Sequence, residues 1–174
     1  MSKPVENLFL YDPEFEAAAR AYLGDGGGEI CPVKSIQDFK DAGNNYTSVK
    51  FLMVILHGLP GKLVLASGGQ ILGFQGLIEN SSFIQREARI LFASCLVGAG
   101  SEGDKFIDSV GKNFLAGKGG YVGATTSINL IPRLPLNIGP FMMPLSFGRL
   151  KVKRYDDQGN EVASRTVDRH GIRR

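Results

Sequence analysis

The sequence is sparing with the side chains that do most enzyme chemistry. It holds two cysteines, two histidines and no tryptophan in 174 residues. Cys31 and Cys95 cannot build a disulfide framework, and neither stands in a Cys-x-x-Cys pair, so a reducing, cytoplasmic compartment at synthesis is expected. His57, His170 and the cysteines lack the close spacing of metal ligands, and no metal or other cofactor is expected. Long apolar runs are missing as well. The best candidate, 128–148, carries Arg133 and four prolines, which excludes a spanning helix and leaves no membrane expected. Near the N-terminus only Leu8–Tyr11 is apolar and acidic residues follow, so no secretory signal is read. Aromatic and basic residues do not interleave, and nucleic acid is not an expected partner. Six residues after Cys95 stands Ser101 rather than the arginine of a cysteine phosphatase loop. Ser67 and Ser94 lack the glycines of a Gly-x-Ser-x-Gly elbow.

What is abundant is glycine, 23 residues or about 13% against a usual ~7%. The glycines are dispersed between apolar runs, which points to tight turns and close backbone approaches. Hydrophobic residues at 43%, charged residues at 21% and a mean hydropathy of -0.02 are those of a globular chain. The length suits one domain, 1–174, with a core over about 5–126, a proline-rich loop over 127–144, a hairpin over 145–168 and a tail over 169–174. The net charge of +3 is unevenly placed: 149–174 carries eight Lys/Arg and four Asp/Glu. This basic strip is a surface for an anionic ligand or acidic partner, or more plainly a solvated hairpin and tail.

Strands are expected at Val5–Tyr11, Glu29–Val33, Val49–Leu56, Lys62–Ala66, Gln70–Phe74, Arg89–Ser94 and Gly119–Thr125. Helices are expected at Glu14–Leu23 behind Asp12-Pro13, and from Ser35 to Ala42 with Ser35 and Asp38 at capping-box spacing. A further helix runs from Ser101, capped with Asp104, to Leu115, and a short one is expected near Asn80–Glu87. Gly43-Asn44-Asn45 reads as a turn. Alternating strands and helices argue for an α/β layered fold with a mainly parallel sheet.

Ligands of such sheets bind beyond the carboxyl ends of the strands. His57 follows one apolar run and Cys95 another. If those strands are neighbours, a thiol meets an imidazole, a nucleophile beside its base. Gly58 offers an N–H that a carbonyl can approach, and with the Cys95 N–H it is the expected oxyanion hole.

Three stretches carry a family likeness. They are His57-Gly58-Leu59-Pro60-Gly61 after a strand, Cys95 to Phe106 with Gly100 and Gly103 leading into a helix, and Ala124-Thr125-Thr126 ending the next strand. Together they resemble the caspase-like (clan CD) cysteine peptidases, chiefly bacterial CHAT-type proteases and a toxin-associated relative, over roughly 49–126. The resemblance implies a three-layer caspase-like fold, with a mainly parallel central sheet flanked by helices and a C-terminal β-hairpin. It implies a cysteine endopeptidase in which Cys95 attacks the scissile carbonyl and His57 handles the proton, with no third catalytic side chain. Protein or peptide substrates, including the chain itself, and an inhibitory or activating partner are its implied partners, and toxin or effector roles imply delivery by a route that needs no signal peptide. It also implies substrate contacts at Asp12, Thr125 and Thr126; against this, Asp12 reads more readily as the cap of its helix, beside Pro13. Two other readings stand beside it. One is a non-catalytic caspase-like binding or regulatory module. The other is a nucleotide-binding α/β protein, since Gly98-Ala99-Gly100-Ser101-Glu102-Gly103 is a literal Gly-x-Gly-x-x-Gly, although no acidic residue ends the next strand.

Overall fold

Apolar residues alternate along the central strands so that each strand feeds two cores. In Leu8 to Tyr11, Leu8 and Leu10 join one buried cluster, Phe9 and Tyr11 the other. The same alternation holds for Leu52, Val54 and Leu56 against Phe51, Met53 and Ile55. A sheet apolar on both faces needs helices on both, and the computed structural model has them. It describes residues 1–24, 27–65, 69–73, 81–127, 135–138, 141–144, 149–168 and 171–173.

The elements in order are β1 (Lys3–Pro4), β2 (Asn7–Tyr11), a 3-10 turn (Pro13–Phe15), α1 (Glu16–Leu23), β3 (Glu29–Pro32), α2 (Ile36–Asn45), β4 (Tyr46–Thr47) and β5 (Val49–Ile55). Then come β6 (His57–Leu59), β7 (Lys62–Leu65), β8 (Gln70–Leu72), β9 (Ile84–Phe92), α3 (Gly100–Phe114) and β10 (Gly120–Thr125). The chain continues through β11 (Pro135–Ile138), β12 (Phe141–Pro144), β13 (Leu150–Tyr155), β14 (Glu161–Asp168) and β15 (Gly171–Arg173). The central sheet has eight strands in the order β15-β14-β13-β10-β9-β5-β2-β3. From β3 to β10 every pair is parallel, and from β10 to β15 every pair is antiparallel. The fold is therefore α/β with a mixed sheet. Its parallel part, numbered along the chain, reads 2-1-3-4-5, a common doubly wound order. Strand order reverses between β2 and β5, which makes their carboxyl ends the switch point where ligands of such sheets lie.

One face is covered by α2 and α3, the other by α1. In α3 the buried Gly103, Phe106, Ile107, Val110, Gly111 and Phe114 recur at helical spacing. Phe106 meets Phe92 of β9 edge-on at 4.9 Å. Each such side chain contributes about 1.5–3 kcal/mol by leaving water. Gly111 is small because the Tyr155 ring lies on it: a Cβ there would sit 2.5 Å from the ring.

Several expectations are corrected. Ile84–Glu87 is the start of a nine-residue β9, not a helix, because it pairs with β5 and carries the bulge that brings Val49 opposite Ile84 and Phe51 opposite Arg89. Gly43-Asn44-Asn45 is the last turn of α2, closed by Tyr46 N–H to the Ala42 carbonyl. The Ser35–Asp38 capping box is present. The Ser101–Asp104 cap is not: α3 begins at Gly100 behind Ala99 with no side-chain cap, and Asp104 instead meets Lys151. The C-terminal hairpin is present as β13 and β14, and the 127–144 segment includes Ser127 and the β11–β12 pair, its other residues lying outside the described ones. His170 also lies outside them.

Candidate active site

The ends of β5 and β9 are stapled together one residue short of the two reactive side chains. Ala93 N–H donates to the Val54 carbonyl at 2.9 Å, and Leu56 N–H donates to Ser94 Oγ at 3.3 Å. His57 is the residue after Leu56 and Cys95 the residue after Ser94. The strands are adjacent and parallel, so both side chains leave the sheet at its carboxyl edge, as expected from their runs.

The glycines around them have steric reasons. A Cβ on Gly58 would come within 2.4 Å of the Cys95 carbonyl oxygen and 3.1 Å of Ser94 Cβ. Gly58 is thus glycine because its Cα backs onto the Cys95 segment, not because that side is open to a substrate carbonyl. Gly61, at φ 71, donates its N–H to the Val97 carbonyl at 3.0 Å, and a Cβ there would meet the Glu102 carbonyl at 2.7 Å. Gly103 faces Gly98 so closely that a Cβ would lie 2.1 Å from the Gly98 carbonyl carbon. The spacing shared with Gly-x-Gly-x-x-Gly thus serves backbone packing at Gly98 and Gly103. Leu96, directly after Cys95, has φ 60, a left-handed conformation that costs a branched side chain about 1–2 kcal/mol. Such strain concentrates at functional turns.

His57 has a neighbour that the sequence reading lacks. Its Nε2 meets a carboxylate oxygen of Glu14, and its ring packs against Phe15 with centroids 4.9 Å apart and planes tilted by 53°. The His57 and Glu14 side chains are 43% and 48% exposed, so the contact contributes at most about 1 kcal/mol to folding. It orients more than it stabilises. Sequence reasoning missed Glu14 because the contact requires β2 and β5 to pair. Its one local signal is a position two residues beyond Asp12, in the turn that follows β2.

Asp12 is fully buried, its side chain accepts the Glu14 N–H at 3.3 Å, and its own N–H donates to the Ile55 carbonyl at 3.0 Å. This is the capping role that its place before Pro13 predicts. Thr125 is buried and donates its hydroxyl to the Ser94 carbonyl. Thr126 donates its hydroxyl to the Arg149 carbonyl at 3.2 Å. All three residues expected at a substrate pocket therefore make contacts inside the protein.

The two thiols differ. Cys31, on the edge strand β3, is pushed up from its ordinary pKa by burial and then by the nearby Asp38, Asp41 and Glu29 carboxylates. Cys95 lies in the turn between β9 and α3, with no disulfide joining the pair. Among the described residues no cluster of three or more His, Cys, Asp or Glu could hold a metal, and no helix is long and apolar enough to cross a membrane.

Part of the basic strip is engaged within the molecule, through Lys151, Lys153 and Arg154. Lys153, 8% exposed, meets Asp108 at 2.8 Å, Glu161 at 3.0 Å and Asp104 at 3.6 Å, and Lys151 meets Asp104 at 2.7 Å. Burial alone would lower the Lys153 pKa, but the carboxylates outweigh it and hold it above its usual value. A surface pocket of about 390 Å³ adjoins this network, lined by Asp108, Lys112, Tyr155, Gly159, Asn160 and Glu161. It lies at the opposite end of the sheet from His57 and Cys95, since Tyr155 pairs with Gly120, the first residue of β10.

Compared with protein-family models, curated proteins and solved structures, the chain matches none of them.

Proposed function

We propose that the chain is a cysteine endopeptidase of caspase-like type, working through Cys95 and His57 on protein or peptide substrates. The observation that supports this reading is the staple between β5 and β9, since His57 and Cys95 are the next residues after the stapled Leu56 and Ser94 at the carboxyl edge next to the switch point. The doubly wound order of the parallel strands and the left-handed Leu96 behind the thiol also support it.

In this mechanism Cys95 gives its proton to His57, and the thiolate sulfur bonds to the scissile carbonyl carbon. The carbon–nitrogen bond then breaks, and the leaving amine takes the proton from His57, leaving a thioester. His57 next takes a proton from water, whose oxygen bonds to the thioester carbon. The carbon–sulfur bond breaks, the acid departs and the thiol recovers its proton. The developing oxyanion is assigned to backbone N–H groups at Gly58 and Cys95.

Incubation with a proteome-derived peptide library tests the reading. Wild type is expected to cleave, Cys95→Ala to lose all cleavage and His57→Ala to lose about 10²-fold or more. Cleavage that survives Cys95→Ala refutes the assignment. A wild type that cleaves nothing, with a Cys95 no more reactive than Cys31, leaves the non-catalytic module as the better account.

A further inference from the structure

An imidazole serving as base has two nitrogens, and only one can face the thiol. The surroundings of His57 distinguish them. Nε2 meets the Glu14 carboxylate. An ionised carboxylate only accepts hydrogen bonds, so Nε2 must carry the hydrogen and Nδ1 keeps its lone pair. Phe15 supports the ring at 4.9 Å. Glu14 and Phe15 are consecutive residues of one 3-10 turn, and that turn is tightly placed. Pro13 fixes its first φ, Asp12 Oδ1 accepts the Glu14 N–H, and the Asp12 carbonyl accepts the Phe15 N–H at 2.8 Å. The Asp12 N–H in turn ties the turn to Ile55, two residues before His57. The carboxylate and the imidazole are therefore set by the same pair of strands.

We propose that Glu14 is a positioning residue, which fixes His57 in its Nε2–H tautomer and so makes Nδ1 the nitrogen that exchanges protons with Cys95 and the leaving amine. The catalytic half of this statement rests on the peptidase reading; the tautomer does not. When Nδ1 takes the Cys95 proton the ring becomes cationic, and the Nε2–H is already directed at an anion. The proton later leaves from Nδ1 to the amine, and the Nε2–Glu14 contact is unchanged throughout. Asp12 then acts one step further back, by capping the turn that presents Glu14.

The experiment is ¹⁵N spectroscopy of the His57 ring in a His170→Gln background, at a pH where the imidazole is neutral, with and without Glu14→Ala. The expected spectrum has one protonated Nε2 and one bare Nδ1, and in Glu14→Ala the two resonances move toward each other as the tautomers exchange. Peptide turnover is the second readout. Glu14→Ala should lower kcat roughly tenfold, less than loss of the base itself, with KM little changed. Glu14→Asp should recover part of that loss. A wild-type Nδ1 that carries the proton, or ring shifts that Glu14→Ala leaves in place, overturns the proposal. If the wild type cleaves no peptide, it is the peptidase reading that fails, and the ring shifts alone decide the role of Glu14.

Discussion

The two ends of the central sheet are held together by different means. At the carboxyl end of β5 and β9, backbone packs on backbone: Gly58 on the Cys95 carbonyl, Gly61 on Glu102, Gly103 on Gly98. Charged contacts there include the half-exposed Glu14–His57 pair, Glu102–Lys105 at 2.8 Å and Asp104–Lys151 at 2.7 Å. From the middle of β13 to the other end, ion pairs and a hydroxyl join the backbone contacts, among them Gly120 on the Ala88 carbonyl. Lys153 gathers Asp104, Asp108 and Glu161, and Tyr155 donates its hydroxyl to Asp108 at 2.7 Å across Gly111. The first end carries His57 and Cys95 just beyond β5 and β9. The second consumes its reactive groups in holding α3 to β13. The charged network thus braces α3 against β13, while Gly58, Gly61, Gly98 and Gly103 bring backbone segments together around His57 and Cys95.

Substitution at the glycine end should be the most damaging. Gly103→Ala forces a methyl to 2.1 Å from backbone that cannot swing away, and about 3 kcal/mol or more should be lost in chemical denaturation despite the better helix propensity of alanine. A loss below about 1 kcal/mol would mean that the close approach is not needed. At the charged end, Lys153→Met should cost about 2 kcal/mol, because Asp108 and Glu161 lose a hydrogen-bonded cation. Removing the lysine without cost would make that network ornamental. Two tyrosines give a finer contrast. Tyr155→Phe should cost about 1–2 kcal/mol, whereas Tyr22→Phe in α1 should stay within about 0.5 kcal/mol, since the buried Tyr22 hydroxyl has no hydrogen-bond partner among the described residues.

The smallest effect is on pH dependence. Lys151 hydrogen-bonds Asp104 and, with Lys153 adding to it, holds the carboxyl below its usual value. A depressed folded-state value means that the unfolded chain binds the proton more readily. The stabilisation is present above the ordinary carboxylate range near 4 and is lost as pH falls through the folded value. Asp104→Asn should therefore lower the melting temperature modestly at pH 7 and flatten its fall between about pH 4 and pH 2, the two proteins converging at the acid end. An unchanged acid limb would show that the pair adds nothing.

How much of this was legible in the sequence follows the range of the interactions. Val49–Ile55 announced itself as a buried strand, and the Ser35–Asp38 capping box lies within four residues, so both were readable. That His57 and Cys95 follow neighbouring parallel strands could be anticipated because both end strand-length runs and precede glycine-rich turns. The polar Gln85-Arg86-Glu87 looked helical because its strand character comes from partners far away in sequence: Glu87 N–H reaches the Lys118 carbonyl at 3.2 Å. In Gly43-Asn44-Asn45 turn propensity was overridden, as α2 runs straight into β4, which pairs with β1. Glu14 was invisible for the same reason as the lysine network: each depends on which strands lie together.

The central claim is that the thiol at the glycine end is the reactive one, and competitive alkylation of the folded protein tests it most directly. Limiting iodoacetamide at pH 7, followed by peptide mapping, gives the relative rates at Cys95 and Cys31 within one molecule. Burial and three carboxylates hold Cys31 toward its neutral form, so Cys95 is expected to label about tenfold faster or more. His57→Ala should narrow that ratio and urea should abolish it. Equal labelling in the folded state, or faster labelling at Cys31, would contradict the account.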